Sequence, residues 1–182
     1  ESLVNDIEIF YERDLLQRVA AVVREVAPDV ILTHGPNEYM EDHSITARLV
    51  VTAAFTRGMP NFPVQPPAAA VSTGVALYHA LPYGLRDPLN RPVVADLYVD
   101  VADVFQLKRD MLACHKSQKE WLDKTQSLDS YLDTLGRMTA EMGCQSGTFD
   151  LAEGWTRHLP LGLGDDDNDP LVQLLGGSPP IV

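Results

Sequence analysis

The order of hydrophobic patterns along the chain is the feature that most limits what it can fold into. In residues 12–26, Leu and Val occupy positions 0, 1, 4, 7, 8 and 11 counted from Leu15. This spacing predicts one apolar face of an amphipathic helix. Pro28 ends this helix. The β-branched run at 30–33 then leads towards a Gly-Pro pair, which is typical of a buried strand that ends in a loop. A helix followed at once by such a strand predicts an α/β domain.

The segments that follow continue this alternation. A second helix is predicted at 44–57, where polar residues recur at every fourth position and leave only a narrow stripe for solvent. Further strands are predicted at 75–80 and 93–101, and further helices at 104–116 and 130–142. This order predicts an α/β sandwich with a largely parallel sheet.

Composition limits the function classes and partners that we expect. The formal net charge of −12 disfavours nucleic acids and anionic membrane surfaces, because both are bound through Lys and Arg. The sequence contains no run of about 18 apolar residues, so we predict no membrane span. Two cysteines are too few for a disulfide framework, so we expect reduced thiols and a cytoplasmic protein. Because the chain starts at Glu1 and not at Met, we expect a processed, truncated or partial piece of a longer protein.

The loop before the second helix collects the candidate site residues. Residues 37–43, NEYMEDH, follow the predicted strand at 30–33, and open α/β sheets bind ligands beyond the carboxyl ends of their strands. His43, at the start of a buried helix, would be held rigidly, and Asp42 could orient it as a metal ligand. The alternative is an acidic helix amino terminus, which the helix dipole favours by itself. His34 ends the strand and either lines the site or is a polar edge residue.

The patterns around the other three histidines leave their roles open. His115 lies on a partly apolar helix face, where it would pack against the helix or reach a site. His79 alternates with Val75 and Leu77, so it faces either the core or the pocket. No surrounding pattern supports a role for His158.

Two segments resemble a known enzyme family. Residues 28–50, PDVILTHGPNEYMEDHSITARLV, resemble the second signature of the PIG-L/LmbE-like N-deacetylases, in which a strand, a loop ending in His-Pro-Asp-His or a variant, and a helix follow each other. A later family segment, a lysine-bearing helix that ends in His-x-Ser-Gln, matches Lys108 and the HKSQ sequence at 115–118. The resemblance extends over roughly residues 12–120.

The resemblance implies a Rossmann-like three-layer sandwich with a mostly parallel sheet, whose amino-terminal strand and helix would be missing. Residues 1–143 would be the carboxyl-terminal part of this deacetylase-like domain, and residues 144–182 a loop-rich tail. It also implies a zinc-dependent hydrolase that removes an acetyl group from an N-acetylglucosamine-type amino sugar conjugate. His43 would be a zinc ligand, and Asp42 the catalytic carboxylate. The residues that we expect to bind the substrate are His34, Asn37, Met40 and His115.

Two departures from the family pattern keep other functions open. The family's first motif, His-Pro-Asp-Asp, supplies two further zinc ligands and the general base, but no His-x-x-Asp occurs in this chain. Met40 stands where the first histidine of His-Pro-Asp-His would be, and its thioether cannot donate a hydrogen bond. The alternatives are a non-catalytic carbohydrate-binding or scaffold module and an unrelated α/β hydrolase or transferase. The expected partner is a small amino sugar, and homo-oligomerisation is compatible with this reading.

Overall fold

The computed structural model describes residues 2–117, 130–165 and 169–175. The chain divides into two compact units. Unit 1 contains the described residues of Glu1–Val93 and Trp155–Ser178, and unit 2 contains those of Val94–Gly154. In chain order the helices and strands are α1 (Arg13–Val26), β1 (Val30–Thr33), α2 (Glu41–Thr56), β2 (Ala76–Ala80), β3 (Leu97–Asp100), α3 (Phe105–Ala113), α4 (Ser130–Ser146), β4 (Ala152–Arg157) and α5 (Pro170–Leu174), with 3₁₀ turns at Tyr83–Leu85 and Ala102–Val104.

The four strands form one sheet in the order β1-β2-β4-β3. β1 and β2 pair in parallel, with Thr33 opposite His79, whereas β2 and β4 pair antiparallel, with His79 opposite Thr156. The predicted α/β class is confirmed. The antiparallel pairing differs from the largely parallel sheet that we expected, because β4 lies in the segment predicted to be loop-rich. Its sequence, AEGWTR, has no run of β-branched residues, so pairing with β2 and not local propensity makes it a strand.

β1 forms one end of this sheet, and no other described strand pairs with its outer side. Its bounds agree with the predicted ones, but its burial does not. Leu32 is 52% exposed, although the apolar run had predicted a buried strand. An edge strand has a neighbour on one side only, which explains this exposure.

The packing of α1 against α2 forms the main apolar core of unit 1. Ala20 and Ala21 of α1 are buried together with Ala53 of α2, so small side chains let the two helices approach closely. Val22 and Val26 belong to the predicted apolar face but are exposed, because the contact with α2 takes only part of that face.

α2 begins three residues earlier than the sequence predicted, at Glu41. Glu41 and Asp42 form its acidic first turn, which the positive end of the helix dipole stabilises. The predicted solvent stripe is wrong at its carboxyl end, where Thr56 is buried and Phe55 is exposed. The Thr56 hydroxyl donates to the carbonyl oxygen of Thr52 at 2.9 Å, which satisfies its buried oxygen.

The buried guanidinium of Arg24 ties α1 to the chain that leaves α2. It donates to the carbonyl oxygens of Met59 at 2.7 Å, Ala68 and Phe62 at 3.1 Å, and Thr56 at 3.2 Å. Because the last carbonyls of a helix have no partner within it, a cation placed there satisfies them and complements the helix dipole.

In unit 2, α3 contacts α4 through a hydrogen bond from the Arg109 guanidinium to the Leu132 carbonyl oxygen, at 3.2 Å. The Lys108 ammonium lies 2.7 Å from a carboxylate oxygen of Glu153 in β4. Both helices were predicted. α3 is shorter than expected at each end, and α4 extends four residues further, to Ser146. None of the helices in the described ranges combines the length and apolarity needed to cross a membrane.

Candidate metal centre

Three side chains that can bind a metal meet in unit 1, where the chain passes from β1 to α2. His34 follows β1 directly, Glu38 lies in the loop, and His43 belongs to the first turn of α2. Their ligand atoms all lie within 4.8 Å of one another. The cluster stands at the carboxyl end of β1, where parallel strands of open α/β sheets present their ligand sites.

A buried carboxylate holds the His43 ring. Nδ1 of His43 is in short contact with Oε2 of Glu38, whose side chain is only 3% exposed. A carboxylate only accepts hydrogen bonds, so Nδ1 carries the proton, and in the neutral ring Nε2 keeps its lone pair. Histidine ligands of metals are commonly oriented in this way, through a carboxylate on the second ring nitrogen.

The ring of His34 stacks on that of His43. The ring centroids are 3.9 Å apart and the planes differ by 9°. Burial lowers the pKa of His34, and the nearby His43 lowers it further. The charge of Glu38 raises this pKa but does not outweigh the two other effects. The neutral imidazole, which is the form that binds a metal, is therefore favoured. Two imidazoles and one carboxylate are a donor set that suits zinc, so the residues present fit the metal that the resemblance implies.

Local contacts hold the loop that carries the cluster. The backbone N–H of Glu38 donates to the Ser44 hydroxyl at 3.2 Å, which links the loop to α2. Gly35 lies against the end of β2, where an added Cβ would stand 3.2 Å from the Ala80 carbonyl oxygen. A larger residue at this position would require the loop or Ala80 to shift by a few tenths of an ångström.

The carboxylate beside His43 is the main difference from the sequence prediction. Asp42 was expected to orient His43, but its carboxylate accepts a hydrogen bond from the backbone N–H of Ile7 at 2.7 Å. Glu38, which the sequence analysis did not single out, contacts the ring instead. The available signal was its place in the loop, five residues before His43.

The residues predicted to bind substrate are distributed over both units. Asn37 and Met40 are exposed on the loop that carries the cluster. His115 is also exposed, but it belongs to unit 2, where it lines an apolar groove of about 460 Å³ together with Leu107 and Met111. Of the matching HKSQ segment, Gln118 lies outside the described residues.

His79 and His158 form a hydrogen-bonded pair that the sequence did not predict. His79 is 4% exposed, and its Nδ1 lies 2.7 Å from the carbonyl oxygen of His34. Its Nε2 lies 2.9 Å from Nδ1 of His158. Four of the five histidines of the chain therefore belong to one connected group.

Two exposed aromatic rings lie near the loop. Tyr39 and Tyr83 are 60% and 52% exposed, and their ring centroids are 6.4 Å apart. Burial raises the pKa of Tyr39, and the charge of Glu38 and the presence of Tyr83 raise it further. The pair offers an amphipathic surface next to Glu38.

The sequence comparison supports one family. Residues 4–54 match the family model of PIG-L, described as GlcNAc-PI de-N-acetylase. This segment contains the whole His34–Glu38–His43 cluster. No curated protein matches the chain.

Eight chains of solved structures match, and three of them illustrate the similarity in fold. One is the 4-carboxy-2-hydroxymuconate hydratase GalB from Pseudomonas putida KT2440, with 19% identity, a TM-score of 0.66, and coverage of 86% of this chain and 63% of that one. Another is the N,N'-diacetylchitobiose deacetylase from Pyrococcus horikoshii, with 19% identity, a TM-score of 0.67, and coverage of 92% and 60%. The third is the conserved protein TT1542 from Thermus thermophilus, with 20% identity, a TM-score of 0.60, and coverage of 84% and 60%.

The chain thus spans about three fifths of the length of these structures. At this level of identity the likeness establishes the fold. The resemblance to the PIG-L family that the sequence predicted is confirmed by the family's own pattern over residues 4–54. The solved structures share the fold over most of the chain.

Proposed function

We propose that the chain is part of a metal-dependent hydrolase that removes the acetyl group from an N-acetylglucosamine-type amino sugar conjugate. The observation that carries this proposal is the His34–Glu38–His43 cluster, because it lies inside the segment that matches the PIG-L pattern. The fold shared with a diacetylchitobiose deacetylase also supports it.

The proposed metal is zinc, held by His43 and His34, with Glu38 as the group that orients His43. When bound in such a site, zinc polarises a carbonyl oxygen and lowers the pKa of water towards 7. Glu38 keeps the proton of His43 on Nδ1 and so leaves the Nε2 lone pair available to a metal. Asp42 remains the proposed catalytic carboxylate, anchored at the edge of the site by Ile7.

The proposed substrate contacts follow from position on the loop. Asn37 can exchange hydrogen bonds with sugar hydroxyls, and Met40 offers an apolar surface. Tyr39 and Tyr83 present exposed aromatic faces, which suit the apolar face of a pyranose ring. His115 stays a proposed substrate contact as well.

A second candidate is a non-catalytic carbohydrate-binding or scaffold module. Two observations favour it, namely the absence of His-x-x-Asp from the sequence and the presence of Met40 in place of a hydrogen-bond donor. The two candidates differ in whether the local cluster loads a metal and whether the acetyl group is released.

The deciding experiment is a zinc titration of the full-length protein that contains this chain, followed by an assay of amine release from an N-acetylglucosamine conjugate. The wild-type protein should bind zinc at the cluster, and His43→Ala should lose it. Thr46→Ala, one turn further along α2, is the control and should keep it. Unchanged zinc content in His43→Ala would refute the assignment, and zinc binding without amine release would favour the non-catalytic module.

A further inference from the structure

His79 is a buried polar side chain for which the proposed chemistry has no role. It lies near the carboxyl end of β2, beside the strand that leads into the candidate metal centre. Only 4% of the residue is exposed, so each ring nitrogen needs a hydrogen-bond partner. Both nitrogens have one, namely the His34 carbonyl oxygen and the His158 ring.

These partners determine the tautomer of His79. A carbonyl oxygen only accepts hydrogen bonds, so Nδ1 of His79 must carry the proton and donate it to His34. In the neutral ring Nε2 is then an acceptor, and Nδ1 of His158 must be the donor to it. Burial lowers the pKa of His158, and His79 lowers it further, which favours the neutral His158 ring that this chain of donors requires.

The sheet register brings this pair together. β2 and β4 are antiparallel, and the backbone N–H of His158 donates to the Leu77 carbonyl oxygen at 2.8 Å. His158 is therefore opposite Leu77, which lies two residues from His79 on the same face of β2. The two imidazoles meet edge to face, with ring centroids 5.1 Å apart.

The hydrogen bond from His79 acts on the backbone that carries the metal centre. The carbonyl of His34 belongs to the residue whose ring stacks on His43, and the loop to Glu38 starts there. Beyond β1 this backbone leaves the sheet ladder, so the His79 side chain supplies the anchor that a neighbouring strand would otherwise provide.

We propose that His79 is a positioning residue of the candidate metal centre, which it holds in place by donating from Nδ1 to the His34 carbonyl oxygen. His158 supports this role, because its own donated hydrogen bond keeps the proton of His79 on Nδ1. The inference rests on the proposed function only for its effect on metal affinity. The placement of the His34 and His43 rings is a property of the chain itself.

Two amide substitutions of His79 separate the roles of the two nitrogens. The amide nitrogen of Asn reaches the position of Nδ1 of histidine, whereas the amide nitrogen of Gln reaches that of Nε2. His79→Asn therefore keeps a donor for His34, and His79→Gln loses it. Both variants remove the same buried ring, so a merely structural role would affect them alike, and thermal unfolding of each reports that common effect.

The first measurement needs no metal. Long-range ¹H–¹⁵N spectra of ¹⁵N-histidine-labelled chain report the tautomer and the environment of each imidazole. We expect His79 in the Nδ1–H form in the wild type. We also expect the His43 signals to keep their positions in His79→Asn and to shift in His79→Gln. An Nε2–H tautomer of His79 in the wild type, which needs no variant to detect, would overturn the proposal.

The second measurement is zinc affinity by competition with a chromophoric chelator. His79→Asn should bind zinc within about 3-fold of the wild type, and His79→Gln should bind it about 10- to 100-fold more weakly, as for other residues that orient a ligand. Equal affinities of the two variants would overturn the proposal. If the wild type binds no zinc, the proposed function fails, and the tautomer and the His43 signals still decide the role of His79.

Discussion

At the scale of single residues, the contrast between Glu38 and Asp42 explains how the candidate centre is built. Asp42 precedes His43 directly, but both lie in α2, where consecutive side chains point about 100° apart. Asp42 therefore turns away and meets the Ile7 N–H, whereas Glu38 reaches back from the loop to the His43 ring. Because α2 starts before both residues, the adjacency of Asp42 and His43 in the sequence does not bring their side chains into contact.

The role of Glu38 is tested by Glu38→Gln, which keeps the shape of the side chain and removes its charge. We expect zinc affinity to fall by about 10- to 100-fold, because the orienting carboxylate of His43 is lost. Glu41→Gln is the matched control, since Glu41 is an exposed acid only three positions away, and it should leave the affinity unchanged. An equal effect of the two variants would mean that general acidity, and not the Glu38–His43 contact, governs binding.

His158 should make stability depend on pH. Its pKa in the folded chain lies below the ordinary value of 6.5, mainly through burial and then through His79. Around and below pH 6.5 the unfolded chain then binds more protons than the folded chain. The contribution of neutral His158 to the free energy of unfolding is therefore complete above pH 6.5 and is lost as the pH drops towards the folded pKa. Urea midpoints at pH 7.5 and pH 5.5 measure this fall.

His158→Gln should reduce the difference between the two midpoints, and His115→Gln, at an exposed position, should not. The pKa of His34 is also lowered in the folded chain, so His34 likewise reduces the free energy of unfolding as the pH drops. Some pH dependence of stability therefore remains in His158→Gln. The prediction is wrong if His158→Gln shows the full wild-type difference.

At the scale of elements, Arg24 shows how two helices depend on one side chain. Arg24→Met keeps most of the length but removes the guanidinium that donates to the carbonyl oxygens of Phe62 and Ala68, and to those of Thr56 and Met59, which also accept from backbone N–H groups. We expect the free energy of unfolding to fall by about 1–3 kcal/mol, the cost of leaving a buried polar group unpaired. Chemical denaturation measures it, with Arg13→Met, at an exposed position of the same helix, as control. Similar losses in both variants would contradict the role of the buried hydrogen bonds.

The segment after β4 meets α2 at Gly162. Its φ is +80°, and an added Cβ would lie 2.5 Å from Cε2 of Phe55. Gly84, with φ of +76°, has no atom near such a Cβ, so Gly84→Ala isolates the backbone cost, about 1–2 kcal/mol. We expect Gly162→Ala to lower the unfolding free energy by about 1–3 kcal/mol more, because overpacking adds to that cost. Equal losses in the two variants would show that Phe55 moves aside freely.

At the scale of the whole molecule, the open edge of β1 and the net charge act in opposite directions. The edge strand exposes Leu32 and a side with which no strand in the described ranges pairs, and such edges favour pairing with another chain. The charge of −12 opposes such contact, and salt screens it. We therefore expect residues 1–182 to associate more strongly as salt rises, measured by sedimentation velocity over a range of concentrations.

Leu32→Lys should reduce this association, because charges on edge strands disfavour pairing. Leu161→Lys, at an exposed position outside the sheet, is the control and should have a smaller effect. A wild-type chain that stays monomeric at high salt, or equal effects of the two lysines, would contradict edge-to-edge pairing.

The sequence by itself determined the elements whose signals are local. Helix periodicity and Pro28 predicted α1, and the β-branched run predicted β1 with the bounds that it has. The same stretch predicted that His34 and His43 follow a strand end, and residues 4–54 match the PIG-L pattern. These predictions succeed because periodicity, chain breakers and motif spacing act over a few neighbouring residues.

Only the tertiary structure decided which side chains meet. β4 carries no strong strand signal and exists through its pairing with β2, which places His79 and His158 in contact although they are 79 positions apart. Glu38 and not Asp42 contacts His43 because α2 begins at Glu41, so that Asp42 lies inside the helix and meets the Ile7 N–H. Such contacts result from packing and register between distant segments, which no local pattern in the sequence encodes.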